Sequence, residues 1–289
     1  MRRKALIMAV ITTILWSGSY ILNKLAFQGG IGPLTLSGFR YLFASIVLFS
    51  LKRDKEQKDK INMSPWIIVL LGILGYAVAQ GLQYVGQSYL TPTQSSLFLS
   101  VGNTMLVMLI DMLWLRENQT KWDIVKLLFL VLGISLYYHP WDAGNLSTIG
   151  MIFMIASSCG YALNMTLNRR ILTTKHIDTK TLVAHPMFVG AIILLVIGLA
   201  TEGMPIITIR LLLILVYLSC ISGALGFYLW TQSQTVLTAF ESSSINNLML
   251  IEIALMDFLV FKRSYSIIQI IAILVVFGSI ISIQRKRKK

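Results

Sequence analysis

The stretch from Leu82 to Glu117 reads LQYVGQSYLTPTQSSLFLSVGNTMLVMLIDMLWLRE, which is two apolar segments joined by a short polar turn. The stretch from Phe227 to Lys262 has the same pattern and begins 145 residues later. At this offset identical polar residues coincide: Gln87, Ser88 and Thr93 with Gln232, Ser233 and Thr238. The coincidence indicates one structural unit used twice.

The same offset holds without a gap through the rest of the chain. Rare polar, aromatic and glycine residues coincide along it: Trp16 with Tyr161, Asn23 with Asn168, Lys24 with Arg169, Arg40 with His185, and Gly133 with Gly278. Because chance alone matches many Leu and Ile residues in an apolar chain, these rarer matches carry the inference. We therefore predict two homologous units, residues 1–144 and 145–289.

The composition is that of an integral membrane protein. Of the 289 residues, 56% are apolar and only 13% are charged, and the mean hydropathy is +0.74. The apolar residues form long runs, and a helical run of about 20 such residues spans the hydrocarbon layer of a bilayer. These runs exclude an ordinary soluble domain and make the lipid bilayer the expected environment.

The apolar runs predict an all-α polytopic protein with ten transmembrane helices, five in each unit. Their expected ranges are 5–27, 33–51, 65–87, 94–115, 122–138, 147–168, 181–200, 209–232, 239–261 and 266–283. The basic start followed by an apolar run imitates a signal peptide. The run continues through Phe27 and has a counterpart in the second unit, so we expect an uncleaved first helix.

An odd number of spans per unit predicts that the second unit enters the membrane inverted. Lys and Arg are retained on the cytoplasmic side. With the N-terminus inside, the cytoplasmic segments carry nineteen basic residues and the outer segments carry three, Arg210, Lys262 and Arg263. We therefore expect two inverted five-helix repeats in a cell (inner or plasma) membrane, with both termini cytoplasmic.

Several short motifs resemble a known family. They are a Trp in the first helix, the run Gly38-Phe39-Arg40-Tyr41 after Pro33, and the run LRENQT at 115–120. Together with two units of five helices, they make the chain similar to the drug/metabolite transporter superfamily, EamA type. The resemblance implies passage of metabolites or drugs, frequently efflux of amino acids or related compounds.

The chain also departs from this family pattern. The family often carries a proline near the middle of helices four and nine, where Thr104 and Met249 lie here. Lys262 replaces the second Glu of the family pattern. The missing prolines leave open whether these two helices are kinked.

The third helix carries a polar stripe at i, i+3, i+4 and i+7 spacing: Gln80, Gln83, Tyr84 and Gln87. This spacing places the four side chains on one helix face. Polar groups inside a membrane bundle are costly and usually face a cavity or a partner. The stripe indicates a substrate-binding surface, and hydrogen bonding between helices is the alternative.

Helices one and six carry equivalent trios, in each case along one side of the helix: Trp16, Tyr20 and Asn23, and Tyr161, Asn164 and Asn168. Aromatic walls with a few amides suit small amphipathic solutes, although ordinary aromatic packing is the alternative. Asn103 and Asn246 add amides on helices four and nine. The predicted substrate-binding residues are Trp16, Tyr20, Asn23, Gln80, Gln83, Tyr84, Asn103, Tyr161, Asn164 and Asn246.

Charged residues within the spans invite separate interpretations. Lys24 and Arg40 lie toward the outer side, where either could attract an anionic group, but we favour an interfacial, structural role. Glu252 lies near the middle of helix nine. A carboxyl group there is suited to proton exchange, which makes Glu252 the candidate for proton coupling. A permanent pair with His185, or a neutral hydrogen-bonded acid, is the alternative.

The sequence contains no recognisable catalytic or cofactor motif, such as a Gly-rich phosphate loop, HExxH or GxSxG. The three histidines are scattered, and we predict no metal or cofactor. The basic residues lie in loops and at the ends rather than on one folded face, which argues against nucleic acid. Small residues on helix four, Ser95, Ser96 and Gly102 among them, leave a homodimer open.

These observations favour a secondary transporter of a small organic metabolite by alternating access, more specifically an exporter of amino acids or related amphipathic compounds. Import of a nucleobase, vitamin or similar metabolite is the alternative within that class. A membrane-embedded enzyme acting on lipids is the alternative from another class. It requires acidic or His clusters at the membrane surface, and the acidic residues at 54–59 are diluted by basic neighbours.

Overall fold

The structure is a computed structural model, and it describes residues 1–50, 63–90, 92–115, 121–137, 147–174, 177–261 and 266–284. The basic loop at 52–60, the motif residues 116–120, Lys262, Arg263 and the basic tail lie outside the described residues. Most of the loop charges from which the orientation in the membrane is predicted therefore lie outside the described residues.

The described residues form ten helices, in the positions that the apolar runs predict. In chain order they are α1 Arg2–Gln28, α2 Pro33–Ser50, α3 Pro65–Tyr89, α4 Pro92–Ile110 continued by Asp111–Leu115, α5 Lys121–Tyr137, α6 Thr148–Thr174, α7 Thr179–Thr201, α8 Ile209–Ser233, α9 Ala239–Asn246 with Leu248–Phe261, and α10 Ile267–Gln284. Within those residues seven helices, α1 to α4 and α6 to α8, are long and apolar enough to cross a membrane.

Two helices widen into π-helical turns at equivalent places. The wide segment of α3 is Gly72–Gly81 and that of α8 is Tyr217–Leu225. The two segments begin 145 residues apart, so the internal repeat extends to this irregularity. Wide turns of this kind frequently occur at functional sites, because they redirect side chains and free backbone carbonyls.

Helix α9 is interrupted without a proline. Asn247 ends its first segment, and the Asn247 amide nitrogen donates to Thr104 Oγ1 of α4 at 2.8 Å. The beginning of α9 is stabilised by a capping box, in which Thr238 accepts from the Glu241 backbone N–H and the Glu241 carboxylate accepts from that of Thr238. Glu241 thus satisfies a backbone N–H that the start of a helix leaves without an internal partner.

The two halves of the chain pack against each other in a pattern that is unchanged when the halves are exchanged. Helix α2 packs against α7, and α5 packs against α10. Helix α3 contacts α6 and α7, and its equivalent α8 contacts α1 and α2; likewise α4 contacts α6, and α9 contacts α1. The centre of the molecule is therefore built jointly from both halves.

The surface and the interior have the polarity expected in a bilayer. Large apolar side chains on the outside are more than half exposed, among them Leu128, Phe129, Ile155, Val196, Leu213 and Leu274. Hydroxyls and amides are buried instead, among them Thr12, Thr13, Ser17, Asn23, Ser157 and Thr166. Polar groups in membrane bundles face the interior, because hydrocarbon offers them no hydrogen bonds.

One contact between α2 and α7 closes an end of the bundle. The carboxylate of Glu202, at the end of α7, accepts from the backbone N–H groups of Leu34 and Thr35 at 2.9 and 2.8 Å. These N–H groups belong to the first turn of α2, which has no internal partner for them. The turn before α2 passes through Gly30, whose φ of +87° favours glycine.

Candidate functional site

Two small cavities lie between the halves, on either side of a shared wall. Trp16, Gln80, Tyr161 and Phe227 line both cavities. We call the first the Arg40 cavity; its lining also includes Ser19, Tyr20, Asn23, Arg40, Gln83, Leu99, Asn103, Asn246 and Met249. The second, the Asn164 cavity, also includes Gly75, Tyr76, Met165, Asn168, Trp230, Thr231 and Gln234.

Eight of the ten predicted substrate-binding residues line the Arg40 cavity, namely Trp16, Tyr20, Asn23, Gln80, Gln83, Asn103, Tyr161 and Asn246. Asn164 lines the second cavity. Tyr84 lines neither; it is fully buried, and its hydroxyl accepts a hydrogen bond from Arg40. The structure therefore places Tyr84 behind the cavity wall, as a support for Arg40.

The polar stripe of α3 is tied to neighbouring helices. Gln80 accepts from the Tyr41 hydroxyl at 2.8 Å, and Gln83 donates to the Tyr20 hydroxyl at 3.3 Å. Asn23 donates to the Gln87 side-chain oxygen at 3.1 Å. The two interpretations of the stripe are thus compatible, because Gln80 and Gln83 line the cavity and also join helices.

The shared wall is aromatic and held in place by a hydrogen bond. The Trp16 ring lies 5.0 Å from that of Phe227 and 5.1 Å from that of Trp230. Its indole N–H donates to the Ser222 carbonyl at 3.0 Å. Ser222 belongs to the wide turn of α8, so the π-helical segment directly positions the wall between the two cavities.

Arg40 corrects the expectation from the sequence. Rather than reaching an interface, its side chain is 3% exposed and lines the first cavity. One terminal nitrogen donates to Tyr84 and the other to Ser222 Oγ at 2.8 Å, and its guanidinium carbon lies 5.2 Å from the centre of the Tyr41 ring. Lys24, in contrast, is exposed as expected.

The sequence around Arg40 does indicate that this residue is buried. It lies in the Gly38-Phe39-Arg40-Tyr41 run, whose small and aromatic residues indicate close packing rather than exposure. Phe227, the other important lining residue not predicted, begins the second copy of the repeated stretch. An apolar residue in an apolar run carries no such signal, because only tertiary packing decides which of them face a cavity.

Glu252 is half-buried between α9 and α1. Its carboxylate oxygens accept from Thr13 Oγ1 at 2.8 Å and from Ser17 Oγ at 2.7 Å. The alternative pairing with His185 is wrong: His185 is exposed, packs against Phe49 and contacts the Thr181 carbonyl. The partners that the structure describes for Glu252 are therefore two hydroxyl groups of α1.

Both cavities are small. Their free volumes are about 40 Å³ for the Arg40 cavity and about 30 Å³ for the Asn164 cavity. A water molecule occupies about 30 Å³ in the liquid, whereas pockets for organic ligands measure roughly 300–1,000 Å³. Neither cavity therefore has room for an organic ligand in this conformation.

Comparison with known proteins agrees with this architecture. A family model described as the EamA-like transporter family matches residues 3–138 and again 148–284. The chain is 25% identical over 247 residues to the uncharacterized transporter YvbV of Bacillus subtilis (strain 168), covering 84% of this chain and 78% of that one. It is 23% identical over 260 residues to a second such transporter, YyaM, of the same organism, covering 86% and 84%.

An uncharacterized transporter of Archaeoglobus fulgidus is similar as well, with 24% identity over 85% of this chain and 84% of that one. One solved crystal structure has a TM-score of 0.80 and covers 97% of this chain and 96% of its own, at 15% identity; this likeness concerns the fold. The family model covers nearly all of the sequence in two copies. The chain is a multi-pass membrane protein and belongs to the EamA-like transporter family, within the drug/metabolite transporter superfamily.

Proposed function

We propose that this protein is a secondary transporter that moves a small organic metabolite by alternating access. The observation that carries the proposal is the relation between the two cavities. Four positions of α1 that line the Arg40 cavity, Trp16, Ser19, Tyr20 and Asn23, correspond at the 145-residue offset to Tyr161, Asn164, Met165 and Asn168 of α6, which line the Asn164 cavity. One site with two related halves, reached in turn from either side, is the arrangement of transporters built from inverted repeats.

The proposal includes the membrane topology. The units 1–144 and 145–289 cross the membrane five times each, the second inverted, and both termini lie in the cytoplasm. The excess of basic residues in the segments assigned to that side supports this orientation. We place the protein in a bacterial inner membrane or a plasma membrane, with the Arg40 cavity on the outer side of the shared wall.

The walls of the cavities indicate the class of solute. Aromatic rings of Trp16, Tyr161 and Phe227 surround a few amide side chains, and such a surface suits a solute with both an apolar and a polar part. Export of amino acids or related amphipathic compounds is the direction we favour. Import of a nucleobase, vitamin or similar metabolite is the competing proposal.

Glu252 is the proposed site of proton coupling. Its two hydroxyl partners, Thr13 and Ser17, belong to α1, the helix that also carries the lining residues Trp16 and Tyr20. A change in the protonation of Glu252 alters these hydrogen bonds between α9 and α1. Protonation is thereby linked to the packing of a helix that lines the solute site.

The test is uptake and efflux by purified protein in liposomes, with pooled radiolabelled amino acids, nucleobases and vitamins, with and without an imposed pH gradient. Saturable flux of one pool that follows the gradient is the expected result. The Glu252→Gln variant should still transport, but its flux should no longer follow the gradient, because Gln cannot exchange a proton.

A matched control is Glu241→Gln, which removes a carboxylate from the first turn of the same helix and should keep the response to the gradient. An unchanged pH response in the Glu252 variant would exclude it as the coupling site. Folded protein that moves no pool above empty liposomes would refute the transporter proposal itself.

A further inference from the structure

We infer that Arg40 binds the carboxylate of the transported solute, and that the Arg40 cavity takes small solutes that combine a carboxylate with an N–H donor, as amino acids do. The inference rests on the proposed function, which already favours amino acids and related compounds, and it adds the residue that recognises their carboxylate. It is carried by unused hydrogen-bonding groups on three of the helices that line the cavity.

The charge of Arg40 has no counter-charge in the described parts of the chain. Its contacts are the hydroxyls of Tyr84 and Ser222 and the faces of the Tyr41 and Tyr84 rings. The carboxylates of Glu202 and Glu252 bond to other groups, that of Glu202 to the start of α2 and that of Glu252 to α1. A buried cation is costly unless it is paired, and an anionic group of a solute supplies the missing pair.

The guanidinium also keeps free donors. Of its five N–H bonds, the described contacts use one on each terminal nitrogen, and Nε is buried without a hydrogen-bond partner among the described residues. The planar fork of an arginine matches the two oxygens of a carboxylate. The hydrogen bonds to Tyr84 and Ser222 fix the orientation of the guanidinium, so these two are positioning residues.

The other walls of the cavity present acceptors. The side-chain oxygens of Asn103 on α4 and Asn246 on α9 are buried, and they lack hydrogen-bond partners in the described part of the structure. Buried polar atoms are nearly always paired in proteins, and unpaired ones that line a cavity are free to accept from a ligand. These oxygens need donors, which the ammonium group of an amino acid provides.

The other repeat does not carry the same side chains at the positions equivalent to Arg40, Asn103 and Asn246. The residue equivalent to Arg40 is His185, which is exposed, and the residues equivalent to Asn103 and Asn246 are Leu248 and Val101. The cation therefore belongs to one cavity alone, whereas unpaired amide oxygens line both, those of Asn168 and Gln234 in the Asn164 cavity. If the fold itself required a buried cation at this position, both repeats would be expected to carry one.

The experiment compares acids with their decarboxylated partners. Wild-type protein in liposomes is assayed for counterflow of radiolabelled L-leucine and L-phenylalanine, with 3-methylbutylamine, 2-phenylethylamine and phosphoethanolamine as competitors. We expect the amines to compete about tenfold or more weakly than the acids, because they lack the charge-assisted hydrogen bonds to Arg40. Equal competition by acid and amine would overturn the inference, and stronger competition by phosphoethanolamine would replace the carboxylate with a phosphate.

The Arg40→Gln variant should lose about tenfold or more of its affinity for the acids and keep its affinity for the amines. Arg40→Lys should recover part of the loss. Lys24→Gln, which removes an exposed cation from α1, is the matched control and should change affinity less than about twofold. If Arg40→Gln fails to fold, Ser222→Ala keeps the charge and should weaken binding of the acids alone by about two- to fivefold.

Equilibrium binding of the same probes to protein in nanodiscs separates this inference from the proposed function. Binding that depends on Arg40 without flux would support the carboxylate site and refute transport. Flux that is indifferent to the carboxylate would support transport and refute the site. Folded protein that neither binds nor moves the acids would refute the carboxylate site, and the pooled flux assay would then decide whether the protein transports another solute.

Discussion

The Arg40 cavity and the Asn164 cavity share a wall and are lined by equivalent positions of α1 and α6, but their chemistry differs. Both cavities are lined by buried amide oxygens that lack hydrogen-bond partners among the described residues, those of Asn168 and Gln234 in the Asn164 cavity and those of Asn23, Asn103 and Asn246 in the Arg40 cavity. The Arg40 cavity alone also has a buried cation in its wall, and no carboxylate of the described residues pairs with it.

The two repeats have kept the same helix geometry, while the side chains at equivalent positions have diverged. Equivalent positions hold Arg40 and His185, Tyr20 and Met165, and Asn103 and Leu248. A symmetric scaffold provides two related conformations, because either half can take the place of the other. In the proposal made here for Arg40, the side chains that differ between the repeats decide where a solute is recognised.

The largest effect is expected at the wall that both cavities share. Trp16→Ala removes a buried ring and the hydrogen bond to Ser222, and it should cost about 3–5 kcal/mol of stability. We expect a lower thermal unfolding midpoint and a loss of flux of about tenfold or more. Trp66→Ala is the control, because Trp66 is 79% exposed. Wild-type flux in the Trp16 variant would show that this wall does not separate the two cavities.

A smaller effect should follow at the contact between α3 and α6, which supports the Asn164 cavity. A Cβ atom on Gly160 would lie 2.9 Å from the Leu74 carbonyl oxygen and 3.0 Å from the Ala79 nitrogen. Because these backbone atoms cannot move away as a flexible side chain can, Gly160→Ala should destabilise the protein by about 1–3 kcal/mol.

The matched control for this variant is Gly278→Ala on α10, where nothing lies within 4 Å of the added Cβ. It should be neutral or slightly stabilising, because Ala favours a helix over Gly. Thermal unfolding in detergent measures both variants, and equal midpoints would contradict the close approach of α3 and α6.

The smallest effect is expected from substituting the asparagines at two equivalent positions, Asn23 and Asn168. Asn23 joins α1 to Gln87 of α3, whereas Asn168 bonds within its own helix. Asn23→Ala should therefore favour opening of the Arg40 cavity by about 1 kcal/mol, and Asn168→Ala should not.

A cysteine introduced at Ser19, with Cys159 and Cys220 replaced by Ser, reports this opening through its rate of reaction with a small thiol reagent. We expect the rate to rise by about two- to tenfold in the Asn23 variant. A similar rise in the Asn168 variant would show that the bond to Gln87 is not what holds this side closed.

Most of the fold could be predicted because its signals are local. Runs of apolar residues specify helices, and the ten described helices lie within a few residues of the predicted ranges except at the end of α6, which continues to Thr174. The widened turns of α3 and α8 could not be foreseen, because they depend on tight packing against other helices. The break at Asn247 depends likewise on a bond to Thr104 from another helix.

The candidate site could be predicted in part. Polar residues at helical spacing drew attention to Trp16, Asn23, Gln80 and Asn103, because buried polar groups in a membrane bundle need a cavity or a partner. Spacing alone does not distinguish the two, and Tyr84 proved to support Arg40 rather than line a cavity. Arg40 itself was assigned to an interface, since sequence position does not report depth within the bundle.

The sequence by itself determined the membrane environment, the helices, the duplicated unit and the resemblance to the transporter family. These follow from composition, periodicity and a constant offset, each of which can be read along a single chain. Only the tertiary structure decided that Arg40 is buried with no carboxylate partner among the described residues, and that Glu252 bonds to α1. The reason is physical: the cost of a charge depends on the groups that surround it, and here those groups come from helices far apart in the chain.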